Sequence, residues 1–137
     1  MSAEMERGVT VDSTDLSRSL AAFHNGVKGV TDIFAVASTG LSIAASSQLP
    51  QGEIDSVAAN LSMLNALTTA AAQYLGGRAV LNTAVQGKGG YLVTMKVNEQ
   101  FFLAVFADPS CDIGKVIHEL CRLCDYLAAA ATSCGGQ

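Results

Sequence analysis

Apolar side chains recur along this chain with two different spacings, and the change of spacing separates predicted helices from predicted strands. Between Leu16 and Val27 the apolar positions recur every three or four residues, as on one face of an α-helix. The acids and hydroxyls of residues 12–15 can cap the first turn of this helix, and Gly26 can end it. The pattern therefore predicts a first helix.

The rest of the chain alternates between runs typical of strands and runs typical of helices. Its predicted elements are strands Val30–Ser38 and Leu41–Ser46 joined around Thr39-Gly40, a long helix from about Glu53 to Leu75, strands Arg78–Gln86, Tyr91–Val97 and Phe101–Phe106, and a last helix from Asp112 to about Ala131. The order α-β-β-α-β-β-β-α predicts an α/β (α+β) fold, a five-stranded mainly antiparallel sheet with helices on both faces.

The three later strands differ in polarity, and this predicts their places in the sheet. FFLAVF has no polar residue and is typical of a central strand. RAVLNTAVQ mixes apolar residues with Asn82 and Thr83, as an edge strand does. A single domain is expected over residues 12–131, with a flexible leader at 1–11 and a flexible tail at 132–137.

The long middle helix has apolar side chains on two opposite sides. The stripe expected to face the sheet consists of Ile54, Val57, Ala58, Leu61, Leu64, Thr68, Ala72 and Leu75. The opposite side carries Ala59, Met63, Ala66, Leu67, Ala70 and Tyr74. No charge occurs between Asp55 and Arg78. If Met63 or Leu67 stayed in water, each would lose roughly 1.5–3 kcal/mol of the stabilisation that burial provides.

This second apolar side predicts an interface. Either a loop or helix of the same chain covers it, or a second subunit does. We favour a symmetric homodimer in which the helix packs on its twin. The edge strand that carries Arg78 and Asn82 would then pair with its own mate, which removes an open sheet edge.

Composition narrows the class of protein. The chain has 137 residues, 50% of them hydrophobic and 15% charged, with a net charge of −4. Its eight basic residues are scattered singly, which argues against nucleic acid as a partner. The sequence shows neither a signal peptide nor a run apolar enough to insert into a membrane. We expect a cytoplasmic protein with reduced cysteines.

Cys121 and Cys124 form a C-x-x-C sequence with His118 one turn earlier. A redox pair would stand at a helix start, where the dipole lowers a thiol pKa, and a zinc site needs four ligands. This group lies in mid-helix and offers three. We interpret the thiols as buried or half-buried small hydrophobes, so no metal is expected, and a thiol-redox role is the weaker alternative.

Two other segments invite a catalytic or cofactor-binding interpretation. The GKGG run at Gly87–Gly90 lacks the spacing of a phosphate-binding loop and predicts a β-hairpin with Lys88 in solvent. His24 suits the end of the first helix, and no serine or cysteine is expected beside it. We therefore predict no catalytic residue and no cofactor.

Three stretches together resemble one family: Gly29–Ser46, Tyr74–Gly77 at the end of an Ala-rich helix, and Cys111–Leu123. Over residues 16–127 the chain resembles the roadblock/dynein-light-chain family, with its roadblock/profilin-like fold. It is most similar to bacterial members encoded beside small Ras-like GTPases, such as the gliding-motility regulators.

The resemblance implies a homodimer with one continuous sheet and paired middle helices. It also implies a noncatalytic regulator or scaffold that binds a small Ras-like GTPase and modulates its nucleotide state, by activating hydrolysis or modulating exchange. By that analogy Ala59, Ala66 and Ala70 would serve both the twin helix and the GTPase. A small-molecule sensory domain is the alternative, because sheets of this kind also hold ligands between helix and sheet.

Overall fold

The computed structural model describes residues 13–76 and 82–135, with side chains up to Ala131. Its elements are α1 (Ser13–Gly26), β1 (Val30–Ala37), β2 (Ser42–Ser46), α2 (Gln51–Ala71), β3 (Asn82–Gly87), β4 (Gly90–Lys96), β5 (Phe101–Ala107) and α3 (Ile113–Gly135). A 3₁₀ turn, Ala72–Leu75, follows α2. The predicted order of helices and strands is confirmed. The predicted leader and Arg78 lie outside the described residues.

The strands form one sheet in the order β2-β1-β5-β4-β3, and every neighbouring pair is antiparallel. The wholly apolar β5 lies at the centre and the polar β3 lies at an edge, as predicted. No helix among the described residues is both long and apolar enough to cross a lipid bilayer.

Two tight turns hold the hairpins, and each depends on a glycine. Gly40 has φ 95°, and its N–H donates to the carbonyl of Ala37 over 2.8 Å, which closes the turn between β1 and β2. Gly90 has φ 137° and pairs with Gly87 across the next hairpin. A Cβ at Gly90 would overlap the carbonyl oxygen of Ala107, so β4 and β5 can meet there only without a side chain. The predicted GKGG hairpin is confirmed.

Helices cover both faces of the sheet, as predicted. On the two-helix face, α1 and α3 pack over Ile33, Leu103 and Val105, all fully buried. On the one-helix face, α2 places Ile54, Ala58 and Leu61 against Phe34 and its neighbours. The two faces therefore have separate cores.

Two helix ends differ from the prediction. Leu75 was expected to face the sheet, but it is 78% exposed. The chain leaves the α-helix after Ala71, and about three residues per turn in the 3₁₀ segment rotate Leu75 away from the stripe. The last helix runs to Gly135, beyond the predicted end near Ala131, because its Ala-rich end favours helix.

Candidate functional site

The outward side of α2 is exposed throughout. Met63 is 62%, Leu67 68% and Tyr74 93% exposed, and Ala59, Ala66 and Ala70 are exposed as well. The described part of the chain provides no cover for these side chains, so the alternative of an intramolecular cover finds no support there. We call these six residues the α2 surface. Their part in binding stays a prediction.

The two threonine hydroxyls of α2 bond to the helix itself. Thr68 donates to the carbonyls of Leu64 and Asn65, and Thr69 donates to that of Asn65 over 2.7 Å. Such bonds to the preceding turn use the hydroxyl protons of both threonines within the helix. The α2 surface consequently offers a partner shape and apolar area, and little hydrogen bonding.

A row of side chains on the one-helix face continues this apolar surface onto the sheet. Asp32, Phe106, Leu92 and Val85 are successive register partners on β1, β5, β4 and β3, so they point to the same face. Phe106 and Leu92 are only half-buried, and Val85 is 43% exposed. These residues line an open cavity of about 480 Å³, which we call the sheet trough.

The trough stays open because α2 leans toward one side of the sheet. The helix packs on β1 and β2, whereas Leu92 and Phe106 belong to β4 and β5. Phe106 is held by an edge-to-face contact with Phe34, with 5.8 Å between ring centroids. The apolar floor of the trough is therefore held by this contact on its β1 side and is uncovered on the other side.

Two carboxylates line the trough at the β1 end. Asp32 accepts hydrogen bonds from Ser47 over 2.6 Å and from Thr31 over 2.8 Å. Asp108 accepts from the hydroxyl of Ser110 over 2.7 Å. Both carboxylates are thus fixed by neighbouring hydroxyls, and they make this end of the trough acidic.

The edge strand β3 lies beside the trough. Its side chains are exposed at five of six positions, and β4 is its only neighbour within the described sheet. Asn82 begins the strand and also lines a second, polar cavity at the opposite end of the strands, next to Asn65 of α2. The structure thus separates Asn82 from the residues of the trough.

The described cysteines give no support to a redox pair at Cys121 and Cys124. Cys124 is buried, and its burial first, with Cys121 and Asp125 adding, raises the pKa of its thiol to about 12. Burial also raises the pKa of Cys111. These shifts disfavour the thiolate, which is the reactive form, at both sites. Cys121 is exposed, so the prediction that it is at least half-buried is wrong: it lies off the core stripe of α3. The described residues contain no group of metal-binding side chains.

One contact was missed from the sequence. The Nδ1 atom of His24 lies 2.7 Å from the hydroxyl oxygen of Ser46, so the expectation that no serine stands beside this histidine is wrong. The two residues are far apart in sequence and meet because α1 packs across β2. A nucleophile–base pair also needs a group that orients the base. Within the described chain the other ring nitrogen has no hydrogen-bond partner, and the bond ties α1 to β2.

Known structures share this fold. Myxococcus xanthus MglB superposes with a TM-score of 0.82 at 19% identity, covering 89% of this chain and 91% of that one. The gliding protein MglB of Thermus thermophilus gives 0.75 at 21% identity, with coverage of 97% and 94%. Acanthamoeba castellanii profilin IA gives 0.59 at 13% identity, with coverage of 82% and 96%.

The predicted roadblock/profilin-like fold is thereby confirmed, and at these identities the likeness is one of fold. A search among curated proteins found no significant match. The model of the Roadblock/LC7 domain matches residues 17–107, which comprise the whole sheet, α2 and most of α1. The chain therefore belongs to the Roadblock/LC7 family.

Proposed function

We propose that this protein is a noncatalytic homodimeric regulator or scaffold that binds a small Ras-like GTPase and modulates its nucleotide state. The observation that carries the proposal is the uncharged α2 surface, exposed beside the half-open sheet trough. The Roadblock/LC7 family, whose members are regulatory proteins, supplies the class of function.

Self-association accounts for the shape of this surface. The alanines between Ala59 and Ala70 extend about 16 Å along the helix axis and would let a second helix approach closely. Met63 and Leu67 of one copy would then be buried against the other copy. A symmetric pair also suits the exposed edge β3, which would pair with its own mate and extend the sheet.

The GTPase would dock on the paired helices. Two copies of the α2 surface form a wider apolar platform than one, and their alanines leave room for a partner's side chains. A dimer that binds one nucleotide state of the GTPase more tightly shifts the GTPase toward that state, without contributing a catalytic group. Because the partner uses GTP, we place the complex in the cytoplasm.

The test is GTP turnover by a small Ras-like GTPase of the same genome, measured alone and with this protein. We expect a dimeric mass in light scattering, a complex in at least one nucleotide state, and altered turnover. Leu67→Asp places a charge in the α2 surface, so it should yield monomers and abolish the complex. Tyr126→Asp is the matched control, because Tyr126 is 63% exposed on α3, which covers the opposite face of the sheet.

Two results would reject the proposal. One is a monomeric mass for the native protein at micromolar concentration. The other is unchanged turnover together with no complex in either nucleotide state. If both aspartate variants behaved alike, the effect would come from added charge and not from the α2 surface.

A further inference from the structure

A polar cavity of about 250 Å³ lies between the C-terminal half of α2 and strands β4 and β5. It is separate from the sheet trough, which has an apolar floor. The polar groups that line it come from every side: Ser38, Asn65, Asn82, Thr94, Lys96 and Glu99. Neither the α2 surface nor the proposed GTPase contact includes these groups, and only Asn82 belongs to the edge strand that is proposed to pair with its mate.

Thr94 is the residue that sets this cavity apart. At 3% exposure it is the one polar side chain buried among the described residues. Every fully buried side-chain N or O atom in that part of the chain has a hydrogen-bond partner. The hydroxyl of Thr94 has none there, so it must open into the cavity it lines. A valine would fill the same strand position without an unpaired polar group.

The charges at the mouth of the cavity cancel. The Nζ atom of Lys96 lies 2.6 Å from Oε1 of Glu99, so the two groups satisfy each other. Some polar groups that line the cavity already have hydrogen-bond partners within the chain. The side-chain oxygen of Asn98 accepts from the N–H groups of Gln100 and Phe101, and Thr69 donates to its own helix.

The groups left for a ligand are neutral, and each hydroxyl and amide both donates and accepts. Ser38, Asn65 and Thr94 are of this kind, from a turn, a helix and a strand respectively. Hydroxyl groups of a ligand also donate and accept, so they match such a lining. A carboxylate or phosphate would face Glu99 and would find no unpaired cation there.

We propose that this cavity binds a small uncharged polyhydroxylated compound, in the size range from glycerol to a monosaccharide. The volume equals the share of about eight waters at ~30 Å³ each, which is below the ~300–1,000 Å³ of pockets for drug-sized ligands. The ligand would give the hydroxyl of Thr94 its missing partner. This assignment goes beyond the proposed function and does not depend on it.

The experiment is calorimetric titration of the full chain with glycerol, ribitol and glucose, and with acetate and inorganic phosphate as charged comparisons. We expect saturable binding of at least one of the three polyhydroxylated probes, and none of the two anions. Thr94→Val keeps the shape of the side chain and removes the hydroxyl, so it should weaken binding about tenfold. Thr83→Val is the matched control, because Thr83 faces Thr94 in the register and does not line the cavity.

Asn65→Ala removes a second group that lines the cavity and should also weaken binding, so the test remains decisive if Thr94→Val fails to fold. The inference is overturned if no polyhydroxylated probe saturates up to about 10 mM, which would leave the cavity holding water only. It is also overturned if anions bind better, or if Thr83→Val weakens binding as much as Thr94→Val.

Discussion

The two faces of the sheet receive unequal cover from their own chain. On the two-helix face, α1 and α3 help to bury seventeen of the described residues, whereas on the one-helix face α2 helps to bury seven. Yet the strands present large apolar side chains to both faces, and Phe106 and Leu92 remain half-buried on the second. The one-helix face of the described subunit therefore keeps apolar area that a partner could cover.

The helices on the two faces differ in the same sense. Buried residues of α3, such as Leu120 and Cys124, alternate with charged residues that face water, among them Lys115, Arg122 and Asp125. That is the pattern of a helix with one apolar side and one solvent side. The α2 surface carries no charge at all. Of these two helices, only α3 therefore has the charged outer side of a helix that faces water.

The largest expected effect comes from the same truncation made on the two faces. Leu120 is fully buried, so Leu120→Ala should lower the free energy of unfolding by about 2–5 kcal/mol. Leu67 is 68% exposed, so at concentrations where subunits are apart Leu67→Ala should cost less than about 0.5 kcal/mol. Urea unfolding measures both.

In the proposed dimer, Leu67→Ala should also weaken the dependence of the unfolding midpoint on protein concentration. Equal losses for the two variants at low concentration would show that the faces do not differ in the way described.

A smaller effect is expected on stability at alkaline pH, and it tests whether water is excluded from the core of the two-helix face. Burial raises the pKa of Cys124 from 9.0 to about 12, so between these values the unfolded chain loses this proton before the folded chain does. This thiol therefore leaves the free energy of unfolding unchanged below about pH 9. As pH rises from there toward 12, the free energy of unfolding falls by up to about 1.4 kcal/mol per pH unit.

Cys124→Ala should remove this part of the alkaline slope. Unfolding measured from pH 8 to 11 for both proteins gives the difference, in which the tyrosines and lysines common to both cancel. Parallel pH curves would mean that water reaches the thiol.

The smallest effect is expected outside both cores. Cys121 is exposed on α3, so Cys121→Ser should change the free energy of unfolding by less than about 0.5 kcal/mol and leave any effect on a GTPase intact. GTP turnover with this variant decides between the regulator and the thiol-redox alternative. A loss of function would favour the latter.

Much of the fold follows from the sequence because its signals are local. The absence of polar residues in β5 indicates burial on both faces, and the mixture in β3 indicates an edge, whatever the neighbours are. The interface predicted on the exposed side of α2 rests on a signal of the same kind, because no charged residue occurs between Asp55 and Arg78.

The features that were missed depend on distant parts of the chain or on small rotations. The bond between His24 and Ser46 arises from the way α1 crosses β2, which spacing along the chain does not encode. Leu75 turned outward because the helix tightened just before it. Thr94 has the pattern of an ordinary strand residue, and only the way α2 packs against the sheet gives its hydroxyl a cavity.

The central pairing of the sheet has a consequence for how the chain acquires its structure. Phe34 on β1 faces Ala104 on β5, so the middle of the sheet joins segments from opposite halves of the chain. Such non-local pairing lowers folding rates, because a long loop must close before the contact is made. In a nascent chain the apolar β1–β2 hairpin would lack its β5 partner until β5 is synthesised. A chaperone could bind the exposed hairpin during that interval.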